Sequence, residues 1–232
     1  AAEQNSFQPI ARLGLFDAEH SASHGLQTST VWRMTESGIT AGYSTRYLGG
    51  ASPTPRGQSA WLADAAGNVV QVGFDNANHT DPGTSEQESV FVRINADGVA
   101  IGYTERANGG RTAWRASISG GTVRLGLYDG EHGGSTSGLP YSVVNDINDE
   151  GVAVGASRRA DGGVTAWIAG PAGALTIVGL FDEDHTSSTG VQASEATEIN
   201  NDGYVIGQSG YEGDYDGGTL TPWLRDPMGG LT

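Results

Sequence analysis

The chain repeats itself four times, and this repetition limits the folds it can adopt more than any other feature. A short apolar run that breaks into an acidic turn and ends on histidine occurs as LGLFDAEH (13–20), VGFDNANH (72–79), LGLYDGEH (125–132) and VGLFDEDH (178–185). Tryptophans keep nearly the same step, with intervals of 53, 53 and 56 positions between Trp61, Trp114, Trp167 and Trp223. A period near 50 residues without a helical pattern indicates propeller blades or a related β array.

The third copy shows what one repeat contains. Four of its segments are predicted to be strands, because small, branched and polar residues alternate along them. These segments are YSVVNDIN, VAVGAS, VTAWIAG and LTIVGLFD. DEG is a tight turn between the first two, where Gly151 tolerates a positive φ. We therefore predict an all-β chain, a β-propeller built of four-stranded antiparallel blades of about 53 residues. The aligned tryptophans are then the packing layer between neighbouring blades.

The repeat boundaries predict one domain over residues 1–232. Its units lie roughly at 21–75, 80–129, 133–182 and 186–232, and residues 7–17 complete the last blade. Closure in this way hides edge strands that otherwise invite aggregation. Two alternatives remain, a closed small ring of about four blades or part of a larger ring. In an open arrangement, the free blade edges predict self-association.

The charge balance excludes some partners. The formal net charge is −15, and all 12 basic residues are Arg. This balance disfavours nucleic acid and anionic membranes as partners, and no apolar run of about 18 residues predicts a membrane span. A lysine-free acidic surface suits salty surroundings and predicts a secreted, extracellular or periplasmic protein, although codon usage in a GC-rich genome explains the missing lysines equally well.

Three segments carry a resemblance to a known family. They resemble the HAF-type extracellular repeat, and their sequences are INADGVAIGYTER, INDEGVAVGASRR and INNDGYVIGQS. Together with DAEH, GYSTRY and GQSAWL, they are similar to the β-propeller polysaccharide lyases of the ulvan lyase type. The resemblance implies β-elimination on an acidic, uronic-acid-containing polysaccharide, without a required cofactor. The alternatives are a non-catalytic propeller that binds polysaccharide or protein, and an assembly-forming repeat protein.

The resemblance also implies which residues would act. A base must reach the C5 proton, an acid the leaving oxygen, and a cation the carboxylate. Carried over by position, the Tyr and Arg of the family motif fall on Tyr103 and Arg111, and the His falls on His79 or His20. At the position where the family has a second His, this chain has Tyr43.

Arginines concentrate in the second repeat. Five of the 12 basic residues lie within 32 positions, at Arg93, Arg106, Arg111, Arg115 and Arg124. In an acidic protein such a cluster predicts an anion-binding patch, although each arginine could instead pair with an acid. We expect Arg93, Arg106 and Arg115 to contact substrate, together with Tyr43.

The repeated acidic turn has three interpretations. Asp17, Asp75, Asp129 and Asp182 stand where a strand ends, and Asp there commonly accepts hydrogen bonds from its own turn. The second interpretation is structural calcium or zinc, with candidate ligands Asp17, His20, Asp129, His132, Asp182 and His185. The third is catalysis by one histidine. A separate acidic loop, GYEGDYDGG (210–218), offers Tyr211 and Tyr215 as a stacking surface for saccharides.

Overall fold

The described chain consists of β-strands joined by turns, as predicted. The computed structural model describes residues 11–47, 54–107, 109–133, 139–210 and 220–232, so that Tyr211 and Tyr215 lie outside them. The strands are β1 (Ser29–Met34), β2 (Thr40–Thr45), β3 (Gly57–Ala63), β4 (Val69–Val72), β5 (Gln87–Ile94), β6 (Ala100–Glu105), β7 (Arg111–Ser117), β8 (Gly121–Leu125), β9 (Ser142–Ile147), β10 (Ala153–Arg158), β11 (Val164–Ala169), β12 (Leu175–Val178), β13 (Ala193–Ile199), β14 (Val205–Gly210) and β15 (Thr221–Arg225). Two short 3-10 turns, Ala18–His20 and Glu183–His185, lie on two of the acidic turns.

Consecutive strands form antiparallel groups, which we call units 1 to 4. Unit 1 is β1–β4, unit 2 is β5–β8, unit 3 is β9–β12 and unit 4 is β13–β15. Units 1 and 2 form one mixed sheet, and units 3 and 4 form a second. In each sheet the third strand of one unit starts in parallel register with the first strand of the next, at Gly57↔Gln87 and Val164↔Ala193. A parallel bridge, Arg111↔Tyr141, connects unit 2 to unit 3 in the same way.

The apolar core lies between the units. Ala41 and Leu62 of unit 1 pack against Phe91 and Trp114 of unit 2. The same arrangement recurs at the next two junctions, where Trp167 packs with residues of unit 2 and Trp223 with residues of unit 3. Burial of large aromatic surface is among the strongest contributions to a core. The in-phase tryptophans are therefore the packing layer between neighbouring units.

Each repeat tryptophan rests on a glycine of the second strand. Gly155 pairs with Trp167 across β10 and β11, and a Cβ on Gly155 would lie 2.6 Å from Trp167 Cζ2 and 2.1 Å from the Val143 carbonyl oxygen. Gly42, Gly102 and Gly207 meet their own tryptophans in the same way. The repeated glycine is required because the indole ring occupies the space of a side chain.

The two sheets do not close into a ring within the described residues. Residues 11–17 form no strand with β15, and residues 7–10 lie outside the described chain. Leu231 instead pairs with Arg225, and Thr232 exchanges both backbone hydrogen bonds with Leu224. These two residues pair with the end of β15, and completion of the last unit by residues 7–17 stays a prediction. No helix in the described part of the chain is long and apolar enough to cross a membrane.

Candidate functional site

Two arginines and two tyrosines alternate across the junction of units 2 and 3. The guanidinium carbon of Arg111 lies 4.3 Å from the ring centroid of Tyr103 and 5.4 Å from that of Tyr141. The guanidinium carbon of Arg158 lies 4.1 Å from the Tyr141 ring. Cations at these distances are attracted to the ring face. We call Tyr103, Arg111, Tyr141 and Arg158 the arginine–tyrosine row.

The backbone fixes the order of the row. Tyr141 stands between the two arginines because Arg111 N–H donates to Pro140 O at 3.1 Å, and Arg158 N–H donates to Tyr141 O at 2.8 Å. Tyr103 lies on β6 beside the start of β7, where Glu105 pairs with Arg111. Three different strands and the entry to β9 therefore contribute to one surface.

Charge and burial give the members of the row different properties. Arg111 Nε donates to Glu105 Oε1 at 2.8 Å. Burial alone would lower the pKa of Arg111, but the Glu105 carboxylate together with Tyr141 and Tyr103 outweighs it and raises that pKa. Burial raises the pKa of Tyr103, against the opposing effect of Arg111, so its phenol is neutral near pH 7. Arg158 is exposed and forms no salt bridge with any described carboxylate.

A polar cleft of about 490 Å³ lies beside this row, at the junction of units 1 and 2. Its lining residues are Gly57, His79, Asp81, Glu86, Gln87, Glu88, Glu105, Arg106, Ala107 and Gly109. Glu105 belongs to both places, because it lines the cleft and holds Arg111. Tyr103 and Arg111 do not line the cleft, whereas His79 and Arg106 do. The structure thus brings Tyr103 and Arg111 together, and it brings His79 and Arg106 together.

His79 is held by hydrogen bonds at both ring nitrogens. Its Nδ1 lies 2.9 Å from Asn76 Oδ1, and its Nε2 lies 2.8 Å from Thr112 Oγ1. Asn78 N–H also donates to Asn76 Oδ1, so this atom acts as an acceptor and His79 Nδ1 carries the proton. Burial, together with the nearby Arg106, lowers the pKa of His79 to about 4. Neutral His79 therefore uses Nε2 to accept from the Thr112 hydroxyl.

The turn of the second repeat differs from the expected pattern at one residue. The partner of His79 is Asn76, not Asp75. In the other copies the partner is an aspartate, at 2.7 Å for Asp17–His20, 2.6 Å for Asp129–His132 and 2.5 Å for Asp182–His185. Of the four histidines, only His79 lacks an anionic partner in its turn.

The other repeat histidines have the surroundings of structural residues. Asp129 Oδ1 accepts from the backbone N–H groups of Glu131 and His132, while His132 Nε2 lies 3.0 Å from Thr165 Oγ1. His20 is buried, and its Nε2 has no hydrogen-bond partner among the described residues. The contacts of His79 and His132 connect two of the acidic turns to the third strand of the following unit. No group of three His, Cys, Asp or Glu side chains in the described chain is arranged to hold a metal.

The remaining predicted substrate contacts lie apart from one another. The Arg93 guanidinium pairs with Asp146, and Arg115 Nη1 donates to the carbonyls of Gly151 and Gly170 at 3.2 and 3.1 Å. Arg106 Nη1 donates to Thr112 Oγ1 at 3.3 Å. Tyr43 is half-buried on β2, in the position that Tyr103 has on β6. The five arginines of repeat two thus have separate partners.

Several residues of the site were not singled out from the sequence. Tyr141 and Arg158 complete the row, Glu105 holds Arg111, and Asn76 with Thr112 holds His79. Tyr141 and Arg158 belong to the third repeat, whereas Tyr103 and Arg111 belong to the second. Their contact could have been suggested only by aligning the start of the third strand of one unit with the start of the first strand of the next unit.

Comparisons with known proteins assign no family. No protein-family model matches the chain, and no curated protein sequence matches it. A solved structure titled "Streptogramin B lyase structure" is 12% identical, with a TM-score of 0.39, over 95% of this chain and 55% of that chain. A solved structure titled "Glycoside hydrolase" is 13% identical, with a TM-score of 0.34, over 96% of this chain and 75% of that chain. The chain spans about half the length of the first, and these values are too low to transfer either activity.

Proposed function

We propose that this chain binds an acidic, uronic-acid-containing polysaccharide along the arginine–tyrosine row. The supporting observation is the alternation of guanidinium groups and phenol rings at 4.1 to 5.4 Å across units 2 and 3. Aromatic faces offer sugars an apolar platform, and guanidinium groups pair with carboxylates in a planar, two-point geometry. The repeat array that carries the row is, in this proposal, a set of propeller blades.

Arg158 is the cation through which the row would hold a uronate. Arg111 already has the Glu105 carboxylate at 2.8 Å, whereas Arg158 is exposed and has no such partner among the described residues. Its stacking on Tyr141 orients the guanidinium without neutralising it. The protein's net charge of −15 repels a polyanion at long range. At an ionic strength of about 0.15 M, charges more than about 8 Å away are largely screened, so the local cation decides binding.

Lyase chemistry is the second candidate, favoured by the contact between Tyr103 and Arg111. A neutral Tyr103 phenol with a raised pKa suits proton donation to the leaving oxygen better than proton abstraction at C5. His79 Nε2 is engaged by Thr112, so His79 would have to release that bond before acting as the base. The row therefore supports binding more directly than it supports elimination.

Retention on immobilised ulvan-type polysaccharide at about 0.15 M salt tests the binding proposal. We expect Arg158→Ala to weaken binding by about tenfold or more, since a charged contact is lost. Arg124→Ala is the matched control, because Arg124 is also exposed and stacks on Tyr128 at 4.3 Å. Equal losses in both variants, or undiminished retention of Arg158→Ala, would contradict the proposal.

The same preparations separate binding from elimination. Ultraviolet absorbance of unsaturated uronate products reports lyase activity, and Tyr103→Phe should abolish it while leaving retention intact. Binding without product assigns the chain to the non-catalytic class. Product formation that persists in Tyr103→Phe would remove Tyr103 from the chemistry.

The location and the remaining partners are proposed on weaker grounds. The lysine-free acidic composition supports an extracellular or periplasmic protein that does not bind nucleic acid or membranes. The proposed binding requires no cofactor, and any calcium or zinc would be structural. A retention assay repeated after chelator treatment tests the last point, because an unchanged result excludes a metal requirement for binding.

A further inference from the structure

The cleft between units 1 and 2 is lined by more acids than the protein neutralises. Its volume is about 490 Å³, and its carboxylates belong to Asp81, Glu86, Glu88 and Glu105. Glu105 pairs with Arg111, whereas the other three form no ion pair with any cation in the described chain. Such a lining attracts positive charge, but it becomes a binding site only if buried groups in the cleft also need a partner.

A buried amide gives the cleft an unpaired acceptor. Gln87 lines the cleft, is 2% exposed, and its Oε1 has no hydrogen-bond partner among the described residues. Its Nε2 donates to Phe74 O at 2.8 Å, and Phe74 does not line the cleft. Because a carbonyl oxygen only accepts, the NH₂ group must face Phe74, and Oε1 is the end left for the cleft. A buried acceptor without a partner is unfavourable, so a ligand that donates to it is stabilised.

The corresponding glutamines of the first and fourth repeats have more partners. Gln27 and Gln192 also donate from Nε2 to the carbonyl before their acidic turn. Each donates in addition to a hydroxyl, at 2.5 Å to Ser21 Oγ and at 2.8 Å to Thr186 Oγ1. Gln27 Oε1 accepts from Arg12 Nη2 at 2.7 Å. The glutamine of the second repeat has neither kind of contact within the described residues, so its amide is left open to a ligand.

An arginine follows the second strand in units 1 to 3, and in two of these units it pairs with an acid of the acidic turn. Arg46 Nη2 lies 3.1 Å from Glu19 Oε2, and Arg159 Nη1 lies 4.0 Å from Glu131 Oε2. At the corresponding position of the second repeat, the turn has Asn78 in place of the acid. The arginine of unit 2 therefore lacks the carboxylate that its counterparts have.

This arginine is Arg106, which lines the cleft. Its Nη1 donates to Thr112 Oγ1 at 3.3 Å, and its Nε is buried without a hydrogen-bond partner among the described residues. It forms no ion pair with any carboxylate in the same part of the chain. A ligand carboxylate would supply the acid that Asn78 does not, in a charge-assisted pair.

We infer that the cleft binds a small zwitterion, whose carboxylate pairs with Arg106 and whose ammonium group donates to Gln87 Oε1. The exposed acids Glu86 and Glu88 add an attractive field for the ammonium group. Free amino acids and their longer ω-amino homologues belong to this class of ligand. The site is separate from the arginine–tyrosine row, because no member of the row lines the cleft.

Other classes of ligand satisfy only part of the cleft. A simple anion would pair with Arg106 but would meet the unpaired acids, and an organic cation would leave Arg106 unpaired. A metal ion fits less well, because no three His, Cys, Asp or Glu side chains in the described chain are arranged to hold one. A molecule with both charges meets both requirements.

Amide NMR titration of the labelled protein tests this inference, because it measures weak affinities and shows which residues respond. Glycine, β-alanine and γ-aminobutyrate carry both charges at increasing separation, whereas ethylamine and propionate carry one charge each. We expect the best zwitterion to bind about tenfold more tightly than either single-charge probe, and to shift the amide signals of Gln87 and Arg106. Failure of all three zwitterions to bind would overturn the inference. So would equally tight binding of a single-charge probe, or shifts confined to another surface.

Restoring the acid of the other repeats tests the role of the unpaired arginine. Asn78→Glu gives Arg106 an internal partner, as Glu19 provides for Arg46, and should weaken zwitterion binding by about tenfold. Thr176→Glu is the matched control, because it adds the same charge at an exposed residue of β12 outside the cleft. Circular dichroism confirms that each variant is folded. An equal loss of binding in both variants would overturn the inference.

A second pair of variants tests the acids at the cleft. Glu86→Gln should weaken zwitterion binding by about threefold or more without weakening propionate binding, whereas Glu183→Gln, exposed and outside the cleft, should change neither. Unchanged zwitterion binding in Glu86→Gln would remove the acids from the site and overturn this assignment. Arg158→Ala should leave zwitterion binding intact while it weakens retention on polysaccharide, so that failure of either proposal can be recognised separately.

Discussion

Replacing Asn76 with Asp gives His79 the carboxylate partner that the other repeat histidines already have. The new carboxylate would occupy the position of Asn76 Oδ1, 2.9 Å from His79 Nδ1. An opposite charge at this distance favours the imidazolium, and a partly exposed pair of this kind raises a pKa by about 1 unit. We therefore expect the pKa of His79 to rise from about 4 towards about 5 in Asn76→Asp.

The same shift determines how stability depends on pH. In the wild type, the pKa of His79 is about 4 when folded, against 6.5 for an ordinary histidine. Between these values the unfolded chain binds a proton that the folded chain does not, so the free energy of unfolding falls as pH decreases from 6.5 towards 4. The full difference corresponds to about 3 kcal/mol, and solvent screening reduces it to about 1–2 kcal/mol. In Asn76→Asp the loss of unfolding free energy should be smaller, and it should be complete at a higher pH than in the wild type.

Two measurements check this reasoning. NMR titration of the imidazole protons gives the pKa of His79 directly, and urea unfolding at pH 7 and pH 4.5 gives the change in stability. Asn78→Asp is the matched control, because it adds the same charge two residues from Asn76, at a residue whose backbone N–H donates to Asn76 Oδ1 but whose side chain forms no hydrogen bond with His79. A wild-type pKa near 6.5 would refute the reasoning, as would an equal rise in both variants.

Three further changes probe the junctions between units by urea denaturation. Gly155→Ala should destabilise the fold by about 1–3 kcal/mol, because its Cβ collides with backbone and the indole ring, whereas Gly130→Ala, in open space, should be nearly neutral. Asp146→Asn should lower stability by about 1–3 kcal/mol, because the buried carboxylate that pairs with Arg93 loses its charge, whereas the exposed Glu198→Gln should change it by less than about 0.5 kcal/mol. Thr112→Val leaves buried polar partners unsatisfied and should lower stability by about 1–3 kcal/mol. If Gly155→Ala or Asp146→Asn changed stability by the same amount as its control, the corresponding assignment would be contradicted. For Thr112→Val, an unchanged urea midpoint would contradict the assignment.

The strand pattern could be predicted from the sequence because it depends on local and repeated signals. Alternation of side chains along each strand, turn glycines such as Gly151 and the constant step between tryptophans are all visible without a structure. Repetition also predicted that the tryptophans pack between units, as Trp114 and Trp167 do. The acidic turns were interpreted in the same way, and Asp129 Oδ1 accepts hydrogen bonds from the backbone N–H groups of its own turn as expected.

The sequence was less informative about contacts between units. The repeat pattern placed Asp75 at the turn of the second repeat, but in the structure Asn76 is the residue that contacts His79. The arginines of the second repeat formed a cluster along the chain, yet Arg93 and Arg115 have separate partners in space. Proximity in sequence does not specify direction across a strand, because successive side chains point to opposite faces.

Ring closure illustrates the same limit. The repeat spacing predicted that residues 7–17 lie beside the last strand. The described sheets stay open, and Leu231 and Thr232 pair with Arg225 and Leu224 at the end of that strand. A strand edge accepts any segment with a suitable backbone, since its hydrogen bonds carry no sequence information. The choice between segments depends on three-dimensional reach.

The sequence by itself determined that this protein is a four-fold β repeat, which Trp residues mark its internal packing, and that Tyr103 and Arg111 fall at matched positions of one repeat. Only the tertiary structure decided that Tyr141 and Arg158 join them and that Asn76 and Thr112 hold His79. The physical reason is that strand formation and periodicity depend on neighbouring residues, whereas contacts such as Arg111–Tyr141 and His79–Thr112 join side chains about 30 positions apart across the junctions between units.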